Sequence, residues 1–240
     1  MIRLHRDRAT PDTLKLLIAL AETGTAHEGV TVDTAAFAQW SPPHRELSPQ
    51  GQVPVLVDGG QAMPDSAYAL QYVGESYGPE LTPRDPWDWY QVQALIQRMD
   101  AAIGPSANLL GWTAATSADE RARHRTTLAA IPGREKPAGW HAVWADAEAS
   151  EDQIANARER IGDMLDELEA RLAGSEWLVG DSYSLADIDA FALVCAVRAV
   201  LADGFDDRPA LGRWYDRVAA RGAVARALSG EEGVAFAAPA

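Results

Sequence analysis

Two short segments place hydroxyl and carboxylate groups directly ahead of apolar helical patterns. In Thr10-Pro11-Asp12-Thr13, a threonine cap, a proline and an acid in the first turn together predict the start of a helix. In the pair Asp65-Ser66, either residue can cap the apolar helix that follows. Because the first turn of a helix leaves backbone N–H groups without partners, it can hold an anion such as a carboxylate. Both segments are therefore candidate anion-binding sites, while capping alone also explains either one.

A third segment, between these two, predicts a hairpin with an irregular start. Val55 to Val57 has the apolar pattern of a short buried strand, and Gln61 to Met63 is the expected returning strand. Asp58-Gly59 predicts the tight turn, because both central residues of such a turn need positive φ. Pro54 cannot donate a hydrogen bond to a neighbouring strand, so it marks an edge or an irregular entry into the strand.

The order of elements before position 80 is typical of the thioredoxin fold. Alternating residues predict a first strand at Ile2 and Leu4, and an apolar face predicts a helix from Thr10 that ends at Gly24. The remaining predictions are a second strand from His27 to Val32 and a short helix from Thr34 to Trp40 before the loop Ser41-Pro42-Pro43. The resulting order is strand–helix–strand–helix–strand–strand–helix.

The chain after the proline-containing linker Leu81 to Pro86 is helical in pattern. The first predicted elements are a long helix that begins at Trp87 and breaks near Gly104-Pro105, a polar helix from Ser117 to Ala130, and an irregular segment from Ile131 to Ala149. They are followed by a long amphipathic helix, marked by apolar residues from Ile154 to Leu172 and ending at Gly174, and by a helix opened by Ser184-Leu185-Ala186-Asp187. The last opening resembles a capping box.

Gly51-Gln52-Val53-Pro54-Val55-Leu56, followed by Asp65-Ser66, resembles the glutathione-binding half of the glutathione transferases. Trp177-Leu178-Val179-Gly180-Asp181, ahead of the helix cap, resembles the same family. The resemblance implies an α/β plus all-α fold: a thioredoxin-like domain over residues 1–80, then an all-helical domain over residues 87–235. Its cofactor is expected to be glutathione.

The same resemblance assigns glutathione-binding roles to single residues. In the family, the proline corresponding to Pro54 is cis, and the backbone of the preceding residue, here Val53, pairs with the cysteinyl part of glutathione. Asp65 and Ser66 are expected at the γ-glutamyl end, and Gln52 at the glycyl end. An exposed polar residue without a ligand is the other interpretation of Gln52.

Glutathione must become a thiolate to attack an electrophile, and a free thiol has a pKa near 8.5. Thr10 stands where related transferases carry Ser, Thr or Cys, and a hydroxyl donated to sulfur at a helix start favours the anion. Thr13, one turn on, is a second candidate. Asp12 departs from the family, since many threonine-type relatives carry Asn there. An ionised carboxylate opposes a nearby thiolate, so Asp12 is expected to point away or to be paired.

Aromatic residues of the second domain predict where the electrophile binds. Trp112, Trp140 and Trp144 follow the expected helix break, where an irregular insert can roof an aromatic pocket. This layout resembles the bacterial lignin β-aryl-etherase branch of the family, which implies cleavage of an aryl ether. Dehalogenation, isomerisation and peroxide reduction on the same scaffold remain alternatives, as does a non-catalytic binding module.

Composition excludes several other classes of function. The net charge of −14 over 240 residues argues against nucleic-acid or anionic-membrane partners, which need a basic face. Cys195 is the single cysteine, so no internal disulfide can form, and the five histidines lack metal-ligand spacing. With no signal-peptide core and no apolar run of about 20 residues, a cytoplasmic protein is expected. The family resemblance adds the expectation of a homodimer.

Overall fold

The structure, a computed structural model, describes residues 1–7, 10–34, 36–115, 122, 126, 149–201, 205 and 207–229. Its strands are β1 (Ile2–Arg6), β2 (His27–Thr31), β3 (Val55–Asp58) and β4 (Gln61–Met63). Its helices are α1 (Pro11–Glu22), α2 (Pro42–Leu47), α3 (Ser66–Tyr77), α4 (Pro86–Ala115), α5 (Glu151–Leu172), α6 (Leu185–Val200), α7 (Pro209–Ala219) and α8 (Gly222–Leu228). Two 3₁₀ turns, Ala38–Trp40 and Pro79–Leu81, complete the elements of the described ranges.

The four strands form one sheet in the order β2-β1-β3-β4. β1 pairs with β2 in parallel, and β3 lies antiparallel to both β1 and β4. With α1 joining the parallel pair and α3 following β4, this is the thioredoxin-like arrangement that the sequence predicts. A helical layer made by α4 to α8 follows the sheet in the chain.

The hairpin between β3 and β4 turns one residue later than the sequence predicts. Asp58 pairs with Gln61, so the central residues of the turn are Gly59 and Gly60, and not Asp58-Gly59. Both glycines have positive φ, 55° and 86°. Glycine adopts this conformation without a Cβ penalty, so the adjacent glycines outcompete an aspartate for the turn.

The prediction around Pro42 is also wrong. The described residues of the segment predicted as a helix from Thr34 to Trp40 contain the 3₁₀ turn Ala38–Trp40 and no α-helix. The expected loop Ser41-Pro42-Pro43 instead opens α2. Pro42 stands at the first helical position, where its missing N–H has no helical partner to lose and its fixed φ suits the helix.

Helix α4 does not break at Gly104-Pro105 but runs through it to Ala115. An interior proline removes one backbone hydrogen bond and costs about 3 kcal/mol. Ile103, Leu109 and Leu110 flank that position and are buried. Burial of each such side chain contributes about 1.5–3 kcal/mol, so packing on both sides of the proline outweighs its local cost. Trp112 consequently lies within α4 and does not follow a break.

Helix α1 is enclosed between the sheet and the helical layer. Every residue from Thr13 to Leu20 is buried, and α1 packs against α6 and α8. Helix α3 meets α6 at Gly74, where an added Cβ would stand 2.6 Å from Leu185 Cδ1. Because Leu185 is itself fully buried, this close approach requires glycine. Within the described ranges, no helix is long and apolar enough to cross a membrane.

The start of α6 is held by a buried carboxylate, as the capping-box pattern predicts. Asp187 Oδ1 accepts the backbone N–H of Leu178 at 3.1 Å and the indole N–H of Trp214 at 2.8 Å. Its Oδ2 accepts the backbone N–H of Ser184 at 3.0 Å. Burial raises the pKa of Asp187 to about 6, although these hydrogen bonds favour the ionised form. One carboxylate therefore joins the loop before α6 to helix α7.

We expect Asp187→Ala to lower the free energy of unfolding by about 3–5 kcal/mol, because three buried N–H donors lose their acceptor together. Urea denaturation measures this change. The control is Asp216→Ala on the exposed face of α7, for which a change within about 0.5 kcal/mol is expected. A loss below about 1 kcal/mol for Asp187→Ala would contradict this role.

Candidate functional site

Strand register brings three distant segments to one edge of the sheet. His5, near the end of β1, lies opposite Val55 at the start of β3, so Pro54 adjoins the chain leading into α1. Met63, at the end of β4, lies opposite Leu56, so the start of α3 reaches the same edge. The predicted residues from all three segments therefore meet around the N-termini of α1 and α3.

Thr10 caps α1, as predicted. Its Oγ1 accepts the backbone N–H of Thr13 at 3.2 Å and donates to Thr13 Oγ1 at 3.1 Å. Thr10 is half-buried, whereas Thr13 is only 1% exposed. A hydroxyl proton can rotate about its C–O bond, so Thr10 can turn its proton from Thr13 towards an external acceptor. The burial of Thr13 makes Thr10 the better placed of the two to contact a ligand.

Asp65 caps α3 and Ser66 is its first residue. Asp65 Oδ1 accepts the backbone N–H groups of Ala67 and Tyr68 at 3.0 and 3.2 Å. Ser66 Oγ donates to Asp12 Oδ1 at 2.6 Å, although the two residues are 54 positions apart in the chain. This bond fastens the N-terminus of α1 to that of α3.

Asp12 is paired with other side chains, as expected for an acid close to a proposed thiolate. Besides the Ser66 hydroxyl, its Oδ1 lies 3.2 Å from Lys15 Nζ. The Lys15 ammonium in turn contacts Asp100 of α4 at 3.1 Å and Asp189 of α6 at 2.9 Å. Burial opposes the charge of Lys15, but the attraction of Asp189, Asp12 and Asp100 outweighs it and raises the lysine pKa.

The segment Gln52-Val53-Pro54 is held from the protein side by two buried residues. Ser48 Oγ accepts the backbone N–H of Gln52 at 2.8 Å, and His44 Nε2 lies 2.9 Å from the Gln52 carbonyl oxygen. The Val53–Pro54 peptide bond is cis, as the family resemblance implies. The Gln52 side chain is exposed, and both of these hydrogen bonds are made by its main chain.

The side chains predicted to form the aromatic pocket lie outside the part of the chain that the structure describes. Trp140 and Trp144 lie outside the described residues. The Trp112 backbone belongs to α4, but its side chain also lies outside the described part.

Two buried residues that hold the site, Lys15 and His44, are not among those predicted from the sequence. A lysine within the apolar run Leu14-Lys15-Leu16-Leu17-Ile18 is a signal that a charge is buried and needs partners. His44 lacks metal-ligand spacing, and its separation of eight residues from Gln52 matches no local sequence pattern.

Both halves of the chain match family profiles. Residues 11–76 match the profile described as "Glutathione S-transferase, N-terminal domain", and residues 124–222 match "Glutathione S-transferase, C-terminal domain". The chain belongs to the glutathione S-transferase family. The order of the two profiles agrees with the thioredoxin-like sheet and the helical layer that follows it.

The chain is also similar in sequence and in structure to individual proteins of known structure. Protein LigF from Sphingobium sp. (strain NBRC 103272 / SYK-6) is 27% identical over 93% of this chain and 91% of its own length. The crystal structure described as beta-etherase LigF from the same strain superimposes with a TM-score of 0.80, covering 94% of this transferase and 98% of that chain at 24% identity. A glutathione transferase from Burkholderia graminis, with two glutathione molecules per subunit, has a TM-score of 0.75 and 25% identity over 96% of this chain and 88% of its own.

The transferase also has a cavity of about 550 Å³ away from these residues. The connection before α4, including Arg84 and Asp85, lines one side, and the loop before α6, including Gly180 and Asp181, lines the other. None of the described residues predicted to bind glutathione lines it. Among the residues that the structure describes, no three His, Cys, Asp or Glu side chains are grouped to hold a metal ion.

Proposed function

We propose that this protein binds glutathione at the edge formed by the N-termini of α1 and α3 and uses its thiolate to attack an apolar, aromatic electrophile. The observation that carries the proposal is the Ser66–Asp12 hydrogen bond, which unites the two helix starts beside Pro54. Glutathione carries a thiol and a γ-glutamyl carboxylate, and a helix N-terminus stabilises either anion. Asp65 and Ser66 would hold the γ-glutamyl end, Val53 the cysteinyl backbone, and Gln52 the glycyl end.

The reaction we favour is cleavage of a β-aryl ether. The thiolate forms a C–S bond to the carbon that bears the ether oxygen, while the C–O bond breaks and the phenolate leaves and takes up a proton. The overall change converts one glutathione and one aryl ether into a glutathione thioether and a phenol. Support for this substrate class is the similarity, over 93% of the chain, to a protein whose crystal structure is described as a β-etherase.

Incubation with glutathione and a panel of aryl ethers and aryl halides tests the function. We expect mass spectrometry to find a glutathione thioether and a phenol in equal amounts from at least one ether. S-Methylglutathione, which fills the same site but has no thiol, is expected to release no phenol. If only the halides give thioethers, the reaction is dehalogenation and not ether cleavage. If glutathione binds but no compound is turned over, the protein is a binding module.

The Thr10 hydroxyl is expected to stabilise the bound thiolate. Thr10→Ala should raise the pKa of the bound thiol towards its free value and lower activity near neutral pH about tenfold, in line with a hydrogen bond to a charged group. The loss should shrink at high pH, where the thiol ionises unaided. A pH–rate profile with glutathione saturating measures both effects.

Thr10→Ser is the matched control, because it keeps both the donor and the helix cap. It should retain most of the activity and the original profile. If Thr10→Ala only lowers Tm and leaves the pH–rate profile in place, Thr10 is a helix cap and not the activating group.

Exposed aromatic residues support a homodimer. Trp87 and Tyr90, at the start of α4, are 65% and 57% exposed, and their rings stack with centroids 5.2 Å apart. Tyr68 on α3 is 64% exposed. Exposed apolar patches often mark interaction sites, and a second copy of the chain would bury these side chains.

Sedimentation should give a mass of about twice the 25.8 kDa of one chain at micromolar concentration. The double variant Trp87→Ser/Tyr90→Ser should shift it towards the monomer, whereas Glu176→Gln, a change on a different loop, should leave it unchanged. A wild-type monomer would contradict the homodimer, and a fully dimeric double variant would contradict this choice of interface.

A further inference from the structure

Lys15 places a single positive charge among three carboxylates at the junction of the two domains. Its side chain is fully buried, and its Nζ lies within 3.2 Å of oxygens of Asp12, Asp100 and Asp189. These acids come from α1, α4 and α6. Asp189 is also fully buried, and its Oδ2 has no hydrogen-bond partner among the described residues. The contacts fix the Asp12 carboxylate between the core and the surface.

One lysine cannot neutralise this group. Burial raises the pKa of Asp189 to about 7, against the opposing attraction of Lys15, and burial also raises the pKa of Asp100. Even with Asp189 protonated, two carboxylates share one ammonium. Asp12 is the most exposed of the three acids at 45%, so it is the one that a second cation can reach from solvent.

The second oxygen of the Asp12 carboxylate, Oδ2, takes part in none of the hydrogen bonds or ion pairs of the described residues. The first oxygen, Oδ1, takes both the Ser66 hydroxyl and the Lys15 ammonium. Neither contact involves Oδ2, which remains available as an acceptor. Because the single hydroxyl proton of Ser66 goes to Asp12, the Ser66 oxygen can only accept a hydrogen bond from a ligand.

The start of α3 supplies the complementary donor. Of the first three backbone N–H groups of this helix, those of Ala67 and Tyr68 are taken by Asp65. Among the described hydrogen bonds, none uses the N–H of Ser66. The Ser66 N–H can therefore donate to a carboxylate, while Asp12 Oδ2 and Ser66 Oγ can accept from an ammonium. This pairing matches the α-carboxylate and α-ammonium of an amino-acid head group.

We infer that Asp12 binds the α-ammonium of the γ-glutamyl residue of glutathione, beside the α-carboxylate held at the N-terminus of α3. This inference rests on the proposed glutathione site and adds a ligand contact to it. It assigns a binding role to Asp12, which lies two residues after Thr10, the proposed activator of the thiol. The bound ammonium would also offset the negative charge of Asp12 and so reduce its repulsion of the thiolate.

Binding of two ligands to two proteins tests the inference. The ligands are glutathione and its deamino analogue glutaryl-cysteinyl-glycine, which differs only by loss of the α-ammonium. Isothermal titration calorimetry with the wild type should show the analogue binding about fivefold to tenfold more weakly. That loss is smaller than is usual for a hydrogen bond between charged groups, because Asp12 is half-exposed and solvent screens the interaction. With Asp12→Asn, the two ligands should bind within about twofold of each other.

Asp65→Asn removes the other carboxylate proposed for the γ-glutamyl end while asparagine keeps the helix cap, so both ligands are expected to bind more weakly and by the same factor. It should keep the wild-type discrimination between the two ligands. The inference is overturned if Asp12→Asn discriminates as strongly as the wild type, or if Asp65→Asn alone loses discrimination. Wild-type protein that binds neither ligand would overturn the proposed function itself, whereas tight binding of both ligands equally would overturn only the role of Asp12.

Discussion

The buried ammonium of Lys15 is the constraint on which the rest of the structure depends. Its immediate neighbours in α1 are apolar, and the one acid of α1 that contacts it, Asp12, is half-exposed, so carboxylates from other helices must complete the compensation of its charge. Asp100 and Asp189 provide them from two helices of the second domain. A buried ion pair adds little net stability, because loss of hydration offsets the attraction, but leaving one partner alone is costly. Its main effect is therefore positional: α1 can pack on α4 and α6 only where all these groups meet.

The geometry of the proposed glutathione site depends on that placement. The same lysine holds Asp12, Asp12 holds Ser66, and Ser66 begins α3. The two helix N-termini that the proposed mechanism needs are thus linked to the domain junction through side-chain contacts. On the other side, Ser48 and His44 fix the main chain of Gln52, so the segment before β3 is also set by buried partners. Binding groups on helix starts and on a tethered segment need little reordering when a ligand arrives.

Local sequence signals predicted much of the fold. The caps at Thr10 and Asp65, the strands around Leu4 and Leu56, and the amphipathic helix ending near Leu172 depend on a few neighbouring residues, so pattern alone finds them. The errors concern proline and glycine. Pro42 opens a helix and Pro105 interrupts none, because position within a helix and packing around it decide what a proline does.

The sequence by itself determined the order of elements in the thioredoxin-like domain, the helix caps at Thr10 and Asp65, and the types of residue that surround the proposed site. Only the tertiary structure decided which of them touch. Ser66 meets Asp12 across 54 positions, and Lys15 meets Asp189 across 174, with no periodicity or spacing to announce either contact. A cap is a bond between residues three apart, whereas the partner of a buried charge is whichever opposite charge the packed helices bring within reach. Packing is a property of the whole chain, and for that reason Asp12 is a departure from a pattern in the sequence and a candidate ligand contact in the fold.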